Sequence, residues 1–279
     1  MNTFEFTAFT GAVSVAAGLL GSLTGLGGGV VIVPALTLLF GVELHYAIGA
    51  SLVSVIATSS GAAAAYVREG WSNIRVAMFL EIATTCGALG GAYLVTVLPV
   101  RAIAVTFGLA LLWTAWTSAR IPRERVDDSG PPDRVSAFFR MDGSCPSPSG
   151  PRNYRVHNVP GGFLVMALAG VLSGLLGIGS GALKVIAMDR VMRLPFKVST
   201  TTSNFMIGVT AAASAGVFLH RGYIDPGLAM PVMLGVLAGS LTGARLLGRA
   251  RTPVLRWIFT VVIVALALEM LYNGVRGTI

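Results

Sequence analysis

Of 279 residues, 54% are hydrophobic and only 11% are charged, with a mean hydropathy of +0.77, whereas a soluble domain carries about 25% charged residues. An ordinary soluble fold is excluded. The net charge of +8 does not imply a nucleic-acid partner, because the arginines fall between apolar runs and not along one polar face. The apolar runs are continuous over about 20 residues, the length of a spanning helix, which disfavours a barrel of alternating strands of about 10 residues.

Taken in chain order, apolar runs cover 9–26, 30–40, 46–67, 76–97 and 102–119. The N-terminal stretch carries Glu5 and no Lys or Arg, so it lacks the basic region of a cleaved signal peptide and the first helix is expected to remain. Residues 120–160 are rich in proline and charge, which predicts a flexible loop. The pattern then restarts at 161–178, 182–192, 198–219, 228–247 and 254–271. The restart is a repeat at an offset of 152, the separation of Gly18 and Gly170. At that offset Gly25, Gly27 and Gly29 match Gly177, Gly179 and Gly181, Ser51 matches Ser203, Thr58 matches Thr210, and Gly87 matches Gly239. Residues 9–119 and 161–273 are therefore read as two copies within one membrane domain.

The second run of each copy is about 11 residues, or about 16 Å of helix, roughly half of a hydrocarbon core. It cannot span alone, so each glycine-rich turn is expected to break or re-enter a helix, leaving about three full spans per copy. An odd number of crossings per copy inverts the second. That places Arg68, Arg75, the loop arginines, Arg190, Arg193 and Lys197 on one side, which the positive-inside rule assigns to the cytoplasm with both termini outside. The expected class is thus an all-α integral protein of the cell membrane with two inverted-topology repeats.

In such transporters the substrate site lies near the midplane, where interrupted helices expose backbone N–H groups to an anion. The candidate substrate-binding residues are accordingly Thr24, Gly25, Gly27, Gly28 and Gly29 in the first break and Gly177, Gly179, Ser180 and Gly181 in the second. Ser51, Thr202, Ser203 and Asn204 begin the helices that follow. The competing readings are that the glycines only allow close helix packing and that the hydroxyls bond back to their own backbone. Lys184 either meets an anionic partner or snorkels to the interface, and Glu81 either couples to protons, pairs with a buried cation or faces water at the bundle edge. An intramembrane hydrolase built on Ser180 and His220 is the alternative from another class.

The segments Gly18-Leu19-Leu20-Gly21 and Gly25-Leu26-Gly27-Gly28-Gly29, then Pro34, with the repeated small polar helices around Ser51 and Ser203, resemble the sulfite exporter TauE/SafE family. Ser180 stands where the first copy has Gly28, and Ile186 where it has Pro34. The resemblance implies a permease, by alternating access, for small anions such as sulfite or organosulfonates, working as an exporter or as an uptake permease. A small anionic substrate and the lipid bilayer are the expected partners, with no cofactor and no metal. Oligomeric state is not encoded in any pattern found in the sequence.

Overall fold

The computed structural model describes residues 3–24, 28–68, 70–119, 133–145, 152–247 and 252–277. Eleven α-helices occupy these residues: α1 (Thr3–Thr24), α2 (Gly29–Phe40), α3 (Leu44–Arg68), α4 (Ile74–Val95), α5 (Val100–Ala119), α6 (Arg134–Phe139), α7 (Val159–Leu176), α8 (Gly181–Ile186), α9 (Phe196–His220), α10 (Pro226–Leu247) and α11 (Thr252–Arg276). A π-helical turn, Ala187–Val191, continues α8. Among the described residues four helices are long and apolar enough to cross a membrane, Ile74–Val95, Val100–Thr117, Val159–Leu176 and Phe196–His220, beside four shorter apolar ones. The all-α membrane class expected from composition is the class found.

Packing partners exchange in pairs when the two halves are swapped. Helix α1 lies along α10 as α7 lies along α4, α3 touches α10 as α9 touches α4, and α3–α9 and α5–α11 pair across the halves. The offset of 152 reaches individual contacts. A Cβ on Gly18 would collide with the carbonyl of Val236, and one on Gly170 with the carbonyl of Thr84. Gly239 meets the carbonyl of Val15 in the same way that Gly87 meets that of Ala167. In lipid no hydrophobic force drives helices together, so backbones this close gain dispersion contacts that only glycine permits.

Helix directions follow from residue contacts. Asn73 N–H donates to Thr202 Oγ1 at 3.0 Å and Thr210 Oγ1–H to Glu81 Oε1 at 2.8 Å; both partners advance by eight residues, so α4 and α9 run parallel. His45 stacks on Tyr223 while Thr201 Oγ1 donates to the Trp71 carbonyl, so α3 and α9 run antiparallel. Gly277 beside Arg101 and Gly108 beside Leu271 make α5 and α11 antiparallel. One end of the bundle, here the loop face, collects residues 70–75, 133–145, 152–158 and Met192–Lys197. The opposite face collects residues 41–45, 96–100 and 220–226.

Part of the expected flexible loop is ordered. Asp133 caps α6 and also accepts the N–H of Val159 at 2.7 Å, anchoring α6 to the start of α7. Strands β1 (Gly143–Cys145) and β2 (Arg152–Tyr154) pair antiparallel. Met141 and Val156 are fully buried against α4, α7 and the π turn, and Asn73 Nδ2 donates to both the Met141 carbonyl and the Tyr154 hydroxyl. Low hydrophobicity argued for disorder, but a few apolar anchors spaced through the segment find a waiting surface on the helix ends. The remainder of the segment, 120–132 and 146–151, lies outside the described residues.

Close backbone approach yields a paired prediction. Gly174→Val, whose side chain would strike the backbone of Ala88, is expected to lower the thermal unfolding midpoint in detergent by several degrees or abolish monodisperse protein, corresponding to about 1–3 kcal/mol of overpacking. Gly90→Ala, with open space around it, is expected to leave the midpoint within error.

Candidate functional site

The second helix break is set by backbone conformation. Gly177, Gly179 and Ser180 all take positive φ (66°, 75° and 42°), and Gly177 closes α7 by returning its N–H to the Ser173 carbonyl. Two of the three are glycine, for which this region is free of strain, while Ser180 gains a compensating hydrogen bond from its hydroxyl to the Ala169 carbonyl at 2.5 Å. That bond folds the turn back beside the middle of α7. Helix α8 therefore starts at mid-depth and descends to the loop face, where the Met192 carbonyl accepts the N–H of His157. Helices α7 and α8 thus form a re-entrant hairpin, as the half-length run requires. In the first half α2 starts at Gly28–Gly29 and carries Pro34 halfway along, at the position where α8 gives way to its π turn.

The two breaks meet. A Cβ on Gly29 would lie 3.2 Å from the Gly177 carbonyl and 2.7 Å from Ser51 Oγ. Ser51, fully buried, reaches both: its hydroxyl donates to the Gly177 carbonyl at 2.9 Å and lies 3.5 Å from that of Gly29. Ser203 repeats the contact in the other half by donating to the Gly181 carbonyl at 3.3 Å. Both serines sit about 10 Å along α3 and α9 from opposite ends of the bundle, so they straddle its middle. The Ser51 hydroxyl satisfies the Gly177 carbonyl, which lies past the end of α7 and has no helical partner, whereas Ser203 adds a second donor to the first carbonyl of α8.

Below the break, one turn into α8, Lys184 is fully buried. The snorkelling alternative is thereby excluded. Its Nζ donates to Thr210 Oγ1 at 2.6 Å, and Thr210 hands its own proton to Glu81 Oε1 at 2.8 Å or to the Met206 carbonyl at the same distance. Thr85 Oγ1 also donates to Glu81 Oε1, at 3.1 Å. Glu81 is only 7% exposed, so the water-exposed alternative for it also fails. The pair spans the halves, with the carboxylate from α4 and the ammonium from α8, joined through one hydroxyl. The equivalent positions, Met233 and Ile32, carry no charge.

The other sequence candidates fall in different places. Thr202 lies toward the loop face, its hydroxyl occupied by the N–H of Asn73, and Asn204 is half-buried two residues on. Gly25, Gly27 and the side chain of Thr24 lie outside the described residues. His220 is exposed at the end of α9 on the opposite face, whereas Ser180 is buried and bonded to Ala169. The two do not form a nucleophile and base. A cavity of about 260 Å³ beside the break is lined by Ser180, Gly181, Ile178 and, from α5, Thr106, Trp113 and Thr114. The hydroxyls of Ser180, Thr106 and Thr114 are all bonded to carbonyls within their own segments, which leaves an apolar cleft and no anion cup. The role of Thr210 escaped the sequence reading. Its equivalence to Thr58 hid the difference, because Thr58 bonds only to its own helix.

Charge balance at this site predicts non-additivity. Lys184→Met strands the Glu81 carboxylate and Glu81→Leu strands the ammonium, each at about 3–5 kcal/mol. The double variant removes both charges and is expected to unfold in detergent much closer to wild type than the sum of the single losses.

Comparison with known proteins is consistent with this architecture. The sequence model of the sulfite exporter TauE/SafE family matches residues 10–270. The chain is 26% identical over 266 residues to "Probable membrane transporter protein YunE" of Bacillus subtilis (strain 168), covering 93% of this chain and 95% of that protein. It is 25% identical over 234 residues to "Probable membrane transporter protein YdhB" of the same organism, covering 82% and 85%. A third relative, "Probable membrane transporter protein ORF9" of Sinorhizobium sp, is 22% identical over 96% of this chain and 93% of its own length. No solved structure matches the chain significantly.

Proposed function

The chain belongs to the sulfite exporter TauE/SafE family, and from that premise we propose that it is an alternating-access permease for a small anion such as sulfite or an organosulfonate, bound where the two helix breaks meet. The chain is a multi-pass membrane transporter, not an enzyme, and acts on a small molecule. The anion, the site and the orientation are the proposal. The observation that carries it is the convergence of the Gly28–Gly29 and Gly177–Gly181 breaks, one from each half, with the Lys184 ammonium one turn away. An ammonium held in lipid must keep negative charge near it, and its place beside broken backbone favours an anionic cargo. The family's name and the printed names of the relatives agree with permease function, with sulfite as the first substrate to try.

The orientation proposed is an inverted repeat. Equivalent helices α3 and α9, and α5 and α11, run in opposite directions. The loop face bears Arg75, Arg134, Arg140, Arg155, Arg190, Arg193 and Lys197 against Arg101, Arg221 and Arg276 on the other, which favours a cytoplasmic loop and outer termini. Alternating access gains support from matched clasps at the two faces. Lys197 Nζ lies 3.5 Å from the centroid of the Trp71 ring on the loop face. At the positions 152 residues away, His45 stacks on Tyr223 at 4.8 Å on the opposite face.

Flux of labelled sulfite and of several labelled sulfonates in proteoliposomes tests the proposal. Wild type is expected to move at least one of them, and Lys184→Ala and Ser203→Ala are expected to cut its rate tenfold or more. Protein that is correctly folded and moves no sulfur oxyanion would overturn the anion assignment. Trp71→Ala removes the loop-face clasp and is expected to raise labelling of a cysteine placed at position 200 by a membrane-impermeant thiol reagent added from that face, against a Cys86→Ser background.

A further inference from the structure

The ion relay has unused capacity. Glu81 Oε2 is buried without a hydrogen-bond partner, and Lys184 spends one of its three N–H donors, on Thr210, among the described residues. The two charges do not touch: no direct Lys184–Glu81 ion pair lies within 4.0 Å, and Thr210 stands between them. Thr210 can aim its proton at Glu81 or, at equal distance, at the Met206 carbonyl, so it keeps a partner whether or not Glu81 accepts from it. Such a hydroxyl tolerates both charge states of the carboxyl group.

Among the described residues of the elements packed against Glu81, Lys184 is the charge at its depth. Helix α7, packed along α4 and α8, has no charged residue; α9 has Lys197 and His220 at its two ends only. The π turn adds Asp189 and Arg190 toward the loop face, α5 contributes Arg101 near the opposite face, and α4 itself has Arg75 at its start and the exposed Cys86 thiol. Lys184 is thus, among the described residues, the charge that faces Glu81. In a low-dielectric interior the sum of charges must stay close to zero. With Lys184 positive and Glu81 negative the site is neutral, and a monovalent anion arriving at the break makes it negative by one. One proton on Glu81 restores neutrality and frees the ammonium for the anion.

We propose that Glu81 is the proton carrier of the transport cycle: a monovalent anion takes over Lys184 as its counter-ion while one proton converts the Glu81 carboxylate to the carboxylic acid, so anion and proton move together, one for one. This inference rests on the anion reading above. Glu81 acts on the anion only through Lys184 and is a positioning and coupling residue.

The test uses the full chain in proteoliposomes with a trapped pH-sensitive dye, driven by inward gradients of labelled methanesulfonate, a monoanion at every working pH, and in parallel of sulfite. Wild type is expected to acidify the lumen with about one proton per anion. Glu81→Gln is expected to lower the proton-to-anion ratio at least tenfold, whatever its anion rate, and to flatten the pH profile of anion–anion exchange. Glu81→Asp, which keeps the carboxyl group, is expected to restore the ratio, and this separates coupling from a loss of fold. Anion flux by wild type with no proton, or an unchanged ratio in Glu81→Gln, overturns coupling and leaves the anion permease standing. Failure of wild type to move either probe above empty liposomes overturns the anion reading, and the coupling with it.

Discussion

A helix interrupted inside a membrane leaves carbonyl and amide groups that lipid cannot satisfy, and the rest of this bundle is arranged around that constraint. Ser51 answers it at the Gly177 carbonyl, and Ser203 ties the start of α8 to α9 through the Gly181 carbonyl. Ser51 is brought close enough because glycine stands beside it: a Cβ on Gly29 would press to 2.7 Å from Ser51 Oγ. The close pairs α1–α10 and α4–α7 hold the re-entrant segments from either side with the same glycine-on-carbonyl contacts. The small-residue composition is therefore a consequence of bringing two breaks together at one depth.

The two halves match in several packing contacts and differ in charge. Val236 and Thr84, Val15 and Ala167, Ser51 and Ser203 occupy corresponding places with corresponding contacts. Lys184 and Glu81, by contrast, replace an isoleucine and a methionine of the other copy. A buried charge costs several kcal/mol of desolvation, so one compensated pair is tolerable where two in the same small volume would each perturb the other. Matched halves suit exchange between two conformations of similar energy, and a single charged locus would make the proposed substrate site unique.

Much of the architecture was legible in the sequence because the offset of 152 is ungapped: the matching of the halves, the half-length helices and the place of Gly29, Gly177, Gly181, Ser51 and Ser203 beside the breaks follow from spacing and helix length. Burial of Lys184 was left open because α8 is too short and too irregular for a periodicity argument to fix its depth. Glu81 and Lys184 lie 103 residues apart in the chain, and nothing local announces that Thr210 joins them. The ordering of residues 133–145 and 152–158 was missed for a related reason. Composition describes an average, whereas Met141, Tyr154 and Val156 act singly, each filling a place on the helix ends that only the folded bundle provides.

The two faces close with unequal strength. At the loop face Lys197 over Trp71 is joined by Thr201 on the Trp71 carbonyl, by Thr202 on the Asn73 N–H, and by residues 133–145 and 152–158, bonded through Asn73 to Met141 and Tyr154. At the opposite face the counterpart of Thr201 is Gly49, which touches the Tyr223 backbone and donates no side-chain hydrogen bond, and His45 holds Tyr223 by stacking while its ring also contacts Glu43. Lys197 is exposed, so its ammonium over the indole contributes about 0.5–1 kcal/mol, comparable to an imidazole–phenol stack of about 0.5–1.5 kcal/mol, and the hydrogen bonds at the loop face make the difference. The loop face, reinforced by the inserted segment, is the tighter closure, and the opposite face is the one from which the paired breaks are reached at lower cost.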